Sequence, residues 1–491
     1  MALDGYQGGY FSNLHKIVII LDPDAARLWQ VELSQRLGAA GYRVEFGHQS
    51  AAGHSEHRLD QVLGIEAGRF ATGLARRTPP PPVGAIEAPD LSIDLAGRSA
   101  DGPSPTLRLT FNGQPGLADG LSQMLATGEL PVMTTMLGGK TVGVARPMLS
   151  DRLWLTRASN DILAGAISLL EQSVARYFAG ALVPVETPVA KPAAPGFRRH
   201  YLRHMAGGLM DRLRRKLARR RPFYWQTAFR ISDGADVAAT TILEGALFTT
   251  LADDGQRFYA DPFVVDHGGR TFLFVEEYPY ATGKGVISVA ALGVDGRFGV
   301  PRVVLEEPHH LSYPQVFSHG GEMYMLPESG GAGRLVLYRA ASFPDNWEVD
   351  TVLLHDRDIN DATLLQRDGR FWLFGTERRG SGSASDTLVV YSAPALRGPW
   401  SPHKLNPIAI DRSAARPGGA FFERDGRTFL PLQDGQACYG GGLGLAELLR
   451  LDDDAVVLGA PDPVRAGAAW PRRNIHTFNR AAGIEVVDSA G

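Results

Sequence analysis

The chain has 491 residues, 44% hydrophobic and 21% charged, with a formal net charge of −3; this excludes a chain-wide nucleic-acid or polyanion partner and predicts about two to four domains. Its single cysteine, Cys438, excludes an internal disulfide and reads as an ordinary thiol, and no Cys/His cluster has zinc-ligand spacing, so no metal or cofactor is assigned. Met1–His15 has no basic start leading into an apolar run, and no stretch approaches the roughly 18 apolar residues of a membrane helix, so a cytoplasmic location is expected.

Lys16–Asp22 (KIVIILD) is a β-branched apolar run with the pattern of a buried parallel strand. A helical stretch over Ala25–Leu37 ends at Gly38, and Tyr42–Gly47 predicts the second strand. Further strands are predicted at Asp90–Leu95, Thr106–Phe111 and Pro131–Leu137, with helices over Leu117–Thr127 and Ala158–Tyr177. Strands alternating with helices predict a Rossmann-like α/β domain over residues 1–185, with a mostly parallel sheet. The turn after the first strand reads LDPDAARLW and has no glycine-rich phosphate loop, so nucleotide binding is not expected there. Asp22 and Asp24 read as helix-capping residues.

Residues 186–222 form a connecting segment. Thr187–Gly196 (TPVAKPAAPG) has the composition of a Pro/Ala linker. Between Arg198 and Arg221 the sequence holds ten Lys/Arg against one acid, Asp211, while Leu202, Met205, Leu209, Leu213 and Leu217 recur at spacings of three and four. This is the pattern of a basic amphipathic helix, suited to an anionic membrane surface, to an acidic polymer, or to packing one apolar stripe on a domain. Gly207–Gly208 in its middle weakens the helix.

From Phe223 onward the chain repeats itself. DPFVVDHGGRTFLFVEE starts at Asp261, YPQVFSHGGEMYMLPES at Tyr313, DATLLQRDGRFWLFGTE at Asp361 and RPGGAFFERDGRTFLPLQD at Arg416; a weaker fifth copy, HTFNRAAGIEVVD, starts at His476. Each copy is a polar head, an apolar strand, a tight turn and a second strand. The heads are 52, 48, 55 and 60 residues apart, and in the first three copies an aromatic (Phe272, Tyr324, Trp372) follows the head by 11. A period near 50 with strand–turn–strand units predicts a five-bladed β-propeller over residues 223–491.

Innermost strands line a propeller's channel, so heads that start them converge on one mouth: Asp261, Tyr313, Asp361, Arg416 and His476. Paired carboxylates suit glycosidic acid–base chemistry, and an arginine suits an anionic group. The acids Glu276, Glu328 and Glu377, which close the second strands, either reach the same rim or sit in salt bridges, and aromatics such as Phe258, Tyr278 and Tyr280 suit sugar stacking. The candidate catalytic set is Asp261, Asp361, Glu328 and His476; the candidate substrate-binding set is Tyr313, His310, Arg416 and Glu377.

The heads ADPF (Ala260–Phe263) and NDATLL (Asn360–Leu365) resemble the first and third blades of family 43 glycoside hydrolases, which implies Asp261 as general base and Asp361 as pKa modulator. That family's fourth-blade glutamate acid has no match, and Arg416 stands in its place. A longer resemblance, through YADPF, PYATGKGVISVA, HLSYPQVF, YMLPES, FPDNWE, DATLL, WLFGTE, GPWSPHKLNP, SARPGG and HTFNR, is to the propeller domain of plant glucosamine inositolphosphorylceramide transferases. It is also similar to bacterial proteins in which this domain follows a formyltransferase-like α/β domain; the His–Ser–Leu–Leu–Pro run of formyltransferases is absent here, so formyl transfer is not carried over. The resemblance implies a glycan context. Three functions are open: a carbohydrate-active enzyme of bacterial surface glycan or glycolipid assembly, cytoplasmic and peripheral to the inner membrane; a non-catalytic glycan-binding propeller serving a separate transferase, with the α/β domain or a partner protein doing any chemistry; or a degenerate α/β transferase with the propeller as scaffold. The expected partner is a glycan or glycolipid.

Overall fold

The computed structural model describes residues 15–50, 55–85, 88–97, 104–186, 188–189, 195–218, 224–232, 236–472 and 474–490. Most of the expected Pro/Ala linker and the end of the basic segment, residues 219–222, lie outside them, as do residues 1–14. The chain divides into two compact units: residues through Ala145 with Asp151–Gly208, and Arg146–Ser150 with Leu209–Gly491.

The first unit is built on a six-stranded mixed sheet. In chain order its elements are β1 (Lys16–Leu21), α1 (Leu28–Ala39), β2 (Arg43–His48), α2 (Ser55–Glu66), β3 (Leu91–Asp94), β4 (Thr106–Phe111), α3 (Leu117–Thr127), β5 (Met133–Leu137), β6 (Lys140–Ala145), α4 (Leu155–Phe178) and the first part of α5 (Phe197–Ala218), whose residues from Leu209 on fall in the second unit. The sheet order is β2-β1-β3-β4-β5-β6; β2, β1, β3 and β4 are parallel, whereas β5 and β6 join antiparallel. The expected mostly parallel sheet therefore holds for four strands. The β5–β6 hairpin departs from it, its two-residue turn Gly138–Gly139 taking positive φ at both positions. Asp22 caps the turn after β1 by accepting from the Asp24 N–H at 3.1 Å, as its position predicted. The 24-residue α4 is buried along most of its length and packs on β5 and β6 and against α1 and α2. Among the described residues no helix is long and apolar enough to cross a membrane.

The second unit is a five-bladed β-propeller. Blade one is Arg257–His267, Arg270–Pro279, Val286–Ala291 and Arg302–Leu305; blade two is Ser312–His319, Glu322–Glu328, Arg334–Ser342 and Asn346–His355. Blade three runs Ile359–Arg367, Arg370–Glu377, Thr387–Ala393 and Ser401–Pro402, and blade four Phe422–Arg424, Arg427–Gln433, Leu443–Leu451 and Val456–Leu458. Blade five joins both ends of this unit: Ile475–Ala481 and Ile484–Ala490 pair with Trp225–Ile231 and Thr249–Thr250.

Every blade opens with a two-residue hairpin between its first two strands. The turns Gly268–Gly269, Gly320–Gly321, Asp368–Gly369, Asp425–Gly426 and Ala482–Gly483 all have positive φ at both positions, the geometry that matches strand twist. Apolar residues on the outer strands interleave between blades, as where Phe274, Val289, Met325 and Tyr338 of blades one and two share a core.

Candidate functional site

The heads of blades one, two, three and five occupy one structural position, a β-bulge in the innermost strand. Two residues there oppose one on the neighbouring strand: Asp261–Pro262 between the Ala260↔Glu276 and Phe263↔Phe274 pairs, and likewise Tyr313–Pro314, Asp361–Ala362 and His476–Thr477. Asp261, Tyr313 and Asp361 adopt φ of 48°, 46° and 48°, a left-handed backbone that non-glycine side chains rarely take.

A bulge frees an N–H from the ladder, and a buried N–H needs an acceptor. Carboxylates supply it in three blades. The Asp261 N–H donates to Asp488 Oδ2 (2.9 Å), that of Tyr313 to Asp261 Oδ2 (3.2 Å) and that of Asp361 to Glu328 Oε2 (3.0 Å). Asp488 Oδ1 also accepts from the Thr477 N–H at 2.8 Å. The acids of the mouth thus hold the backbone that presents them.

These residues surround a cavity of about 470 Å³, whose lining combines Asp261, Glu276, Glu328, Arg416, His310 and His476 with the aromatics Trp225, Phe258, Tyr278, Tyr280 and Tyr439. The volume falls in the ~300–1,000 Å³ range of small-ligand sites. Phe258 and Tyr278 stack at 4.9 Å with ring planes 7° apart, and Trp225 lies 4.4 Å from the His476 ring. Aromatic faces interleaved with carboxyls suit a sugar, which carries both C–H faces and hydroxyls.

His476 Nδ1 lies 3.2 Å from Asp261 Oδ1 and 3.4 Å from Asp488 Oδ2. Burial alone lowers this imidazole's pKa, but Tyr439 and the carboxylates of Asp488 and Asp261 outweigh burial and hold it well above the ordinary histidine value. Its Nε2 is buried without a hydrogen-bond partner among the described residues. Glu276 is driven well above the usual carboxyl range by burial and then by the negative charges of Asp261 and Glu328. Glu328 is raised to about 8, burial outweighing the opposing pull of Arg416. His310 accepts the Gly285 N–H on Nδ1 at 2.9 Å, which leaves its Nε2–H to donate to Glu276 Oε1 at 3.3 Å. The mouth therefore sets Asp261 beside two carboxyls, Glu276 and Glu328, whose hold on a proton burial strengthens, an arrangement suited to acid–base chemistry.

The other expected site residues are placed differently. Arg416 lies ahead of the short first strand of blade four and lines the cavity, but its guanidinium is engaged by Asp361 through Nε and Nη2 (2.5 and 3.1 Å) and by Glu328 (3.1 Å). Asp361 is buried beneath it, also accepting from Gln433 Nε2. Tyr313 is fully buried, its hydroxyl donating to or accepting from Thr363 Oγ1 (2.9 Å) and receiving the Gly419 N–H (2.7 Å), so it braces the channel below the cavity. Glu377 is paired with Arg357 at 2.9 Å and Arg379 at 3.0 Å, away from the residues that line the cavity.

Three groups carry more of the site than their sequence signals suggested. Glu276 stands directly at the mouth, Asp488 binds two bulge amides, and Trp225 with Tyr439 makes an aromatic wall. An acid at the end of each repeat's second strand was the available signal for Asp488; Trp225 and Tyr439 belong to no repeat. Asp261, His476 and Asp488 each bring one ligand atom within 4.8 Å of the others, enough for three protein ligands to a cation, although the His476 Nδ1 position is also satisfied by a shared proton.

Residues 230–479 match the family model described as glucosamine inositolphosphorylceramide transferase 1, N-terminal. The chain is 37% identical over 229 residues to glucosamine inositolphosphorylceramide transferase 1 of Oryza sativa subsp. indica, a match spanning 45% of this chain and 30% of the relative. The Arabidopsis thaliana protein of the same name is 34% identical over 224 residues, spanning 45% and 29%. The chain thus covers about a third of the length of these relatives. Among solved structures, it is similar to a thermostable family-43 glycoside hydrolase (12% identity, TM-score 0.33, 44% of this chain and 78% of that one) and to an exo-β-1,3-galactanase from Clostridium thermocellum (14% identity, TM-score 0.33, 42% and 50%).

Proposed function

This chain belongs to the glucosamine inositolphosphorylceramide transferase 1 N-terminal family, and from that premise we propose that its propeller mouth is a carbohydrate-active site working on the sugar headgroup of a glycan or glycolipid. The observation that carries the reading is the placement of Glu276, pushed well above the usual carboxyl range by burial, beside Asp261 at a cavity with aromatic lining. In this reading the sugar ring lies on Trp225 or Tyr278. Asp261 acts as base or charge-stabilising carboxylate, and Glu276 is the proton donor, with Glu328 as a second protonated carboxyl. Asp361 is a positioning residue, setting Arg416 against the cavity wall. His476 and Asp488 hold the Asp261 carboxylate in place. A reaction at a glycosidic carbon, transfer or hydrolysis, is supported by the Glu276–Asp261 pairing, and transfer by the transferase names of the plant relatives. A Rossmann-like, formyltransferase-like reading of the first unit is part of the same proposal, supported by its parallel run β2-β1-β3-β4.

A binding-only propeller is the second reading. It is favoured by Arg416, whose guanidinium is engaged internally by Asp361 and Glu328. Glucosamine- and N-acetylglucosamine-capped inositol phosphate glycans separate the two, with binding followed by calorimetry and product by mass spectrometry. Asp261→Asn and Glu276→Gln are each expected to cut turnover by about 10²–10⁴-fold with binding changed little. Turnover unchanged in Asp261→Asn would sink the catalytic reading; binding without product in the unmodified chain would establish the binding module instead.

A further inference from the structure

The basic helix α5 is not absorbed by the glycan site, and it presents two apolar faces. One is docked on the first unit. Phe197 and Tyr201 are buried, the Tyr201 hydroxyl donates to Glu66 Oε1 at 2.9 Å, and His204 Nε2 meets the Arg152 carbonyl at 2.8 Å. At Gly208 the helix approaches so closely that a Cβ would lie 2.5 Å from Leu153 Cδ1. This explains a glycine inside a helix that propensity alone disfavours.

The second face is open. Leu202 is 67% exposed, Leu209 49%, Met210 50%, Leu213 51% and Leu217 77%. At about 100° per residue these five fall within an arc of about 100°, on the side nearly opposite Phe197, Tyr201 and Gly208. Arg198 and Lys216 border one edge of this stripe and Arg203 and Arg214 the other, all four exposed. Asp211 is the helix's single acid against seven Lys/Arg. A solvated connecting helix has no use for five large apolar side chains in one exposed row.

We propose that α5 lies on an anionic lipid bilayer, with Leu202, Leu209, Met210, Leu213 and Leu217 entering the headgroup–acyl boundary and the flanking arginines and lysine meeting lipid phosphates. The occupant follows from charge complementarity. An apolar stripe edged by cations on both sides matches an interface that is apolar within and anionic at its surface. The surface stands whether or not the propeller mouth is catalytic.

Flotation of the full chain with vesicles tests it, using phosphatidylcholine containing about one part in five phosphatidylinositol against phosphatidylcholine alone. Binding is expected to the anionic vesicles, about tenfold or more weaker to the neutral ones, and to fall as salt rises through the physiological range. The variant Leu209→Gln, Leu213→Gln, Leu217→Gln is expected to lose about tenfold or more of that binding, with an unchanged circular dichroism spectrum. Should the triple variant misfold, Leu217→Gln alone serves, since that side chain is 77% exposed. No flotation at low salt, equal binding of the variants, or equal binding to neutral and anionic vesicles overturns the proposal. So does a dimer in gel filtration that the leucine variants abolish while vesicle binding is absent, because the stripe would then belong to a second copy of the chain.

Discussion

Three bulge residues with side chains, Asp261, Tyr313 and Asp361, hold positive φ near 47°, a conformation costing on the order of 1–3 kcal/mol each. The surrounding carboxylates hold it in place by binding the amides the bulges free, so the acids are at once structural and chemical groups. That double use places carboxyls in a poorly hydrated channel. Glu328, raised to about 8, is the clearest consequence. In the unfolded chain it ionises near 4.5, so the folded state holds its proton more tightly. Its stabilising contribution is therefore full below about pH 4.5, is lost as pH rises towards 8 and is absent above that. Thermal melts from pH 4.5 to 8 should show this decline, on the order of a few kcal/mol. Glu328→Gln keeps an acceptor for the Asp361 N–H and should flatten the slope; a variant with the same slope as the parent would place the titration elsewhere. Glu276 shifts in the same direction, so acid–base turnover that depends on its proton should fall as pH rises.

Hairpins and bulges differ in how plainly the sequence announces them. Gly-Gly and Asp-Gly between alternating runs is a local turn code, and the turns after His267, His319, Arg367 and Arg424 form where that code puts them. The bulges carry no such code, because no turn pattern marks the positions where Asp261, Tyr313 and Asp361 take left-handed backbone and His476 bulges without it; acids of neighbouring strands and blades hold the freed amides. Blade four breaks the pattern with Gly419, at φ 152°, where a Cβ would sit 2.0 Å from the Phe478 carbonyl and where the N–H reaches Tyr313 Oη. Gly419→Ala must push two blades apart or lose that hydrogen bond. We expect a loss of about 2 kcal/mol or more in urea unfolding, with the cavity's ligand affinity reduced as well. A neutral effect would mean that the channel there yields more freely than its packing indicates.

On the scale of the molecule the ring is closed by sequence-distant strands. Trp225–Ile231 pairs residue by residue with Ile484–Ala490, from Ile231↔Ile484 to Trp225↔Ala490. Closure removes two sheet edges and also delivers Trp225 to the cavity wall. Deleting residues 225–231 should therefore lower the melting temperature by ~10 °C or more, expose an edge that promotes aggregation, and abolish sugar binding. A truncated chain that stays monomeric with unchanged melting would show that the other four blades hold the ring without a clasp.

Much of the architecture follows from local chemistry. The 52-, 48-, 55- and 60-residue spacing of the heads, the turn glycines and the alternation of apolar strands suffice for five blades, because each blade is built mainly from contiguous chain. In the first unit, KIVIIL and TLRLTF become central strands as their β-branched or alternating patterns require, whereas the antiparallel β5–β6 edge depends on a pairing that periodicity does not encode. The sequence also identified Asp261, Arg416, Glu328, His310 and His476 as cavity residues. It could not show that Tyr313 and Asp361 lie below the cavity as braces, that Glu377 is consumed by two arginines, or that Glu276 is the carboxyl placed beside Asp261. Those distinctions depend on which acid meets which freed amide or guanidinium, partly between blades, as where Tyr313 meets Asp261 and Asp261 meets Asp488, and partly within one, as where Glu377 meets Arg357 and Arg379; burial then raises Glu276 and Glu328.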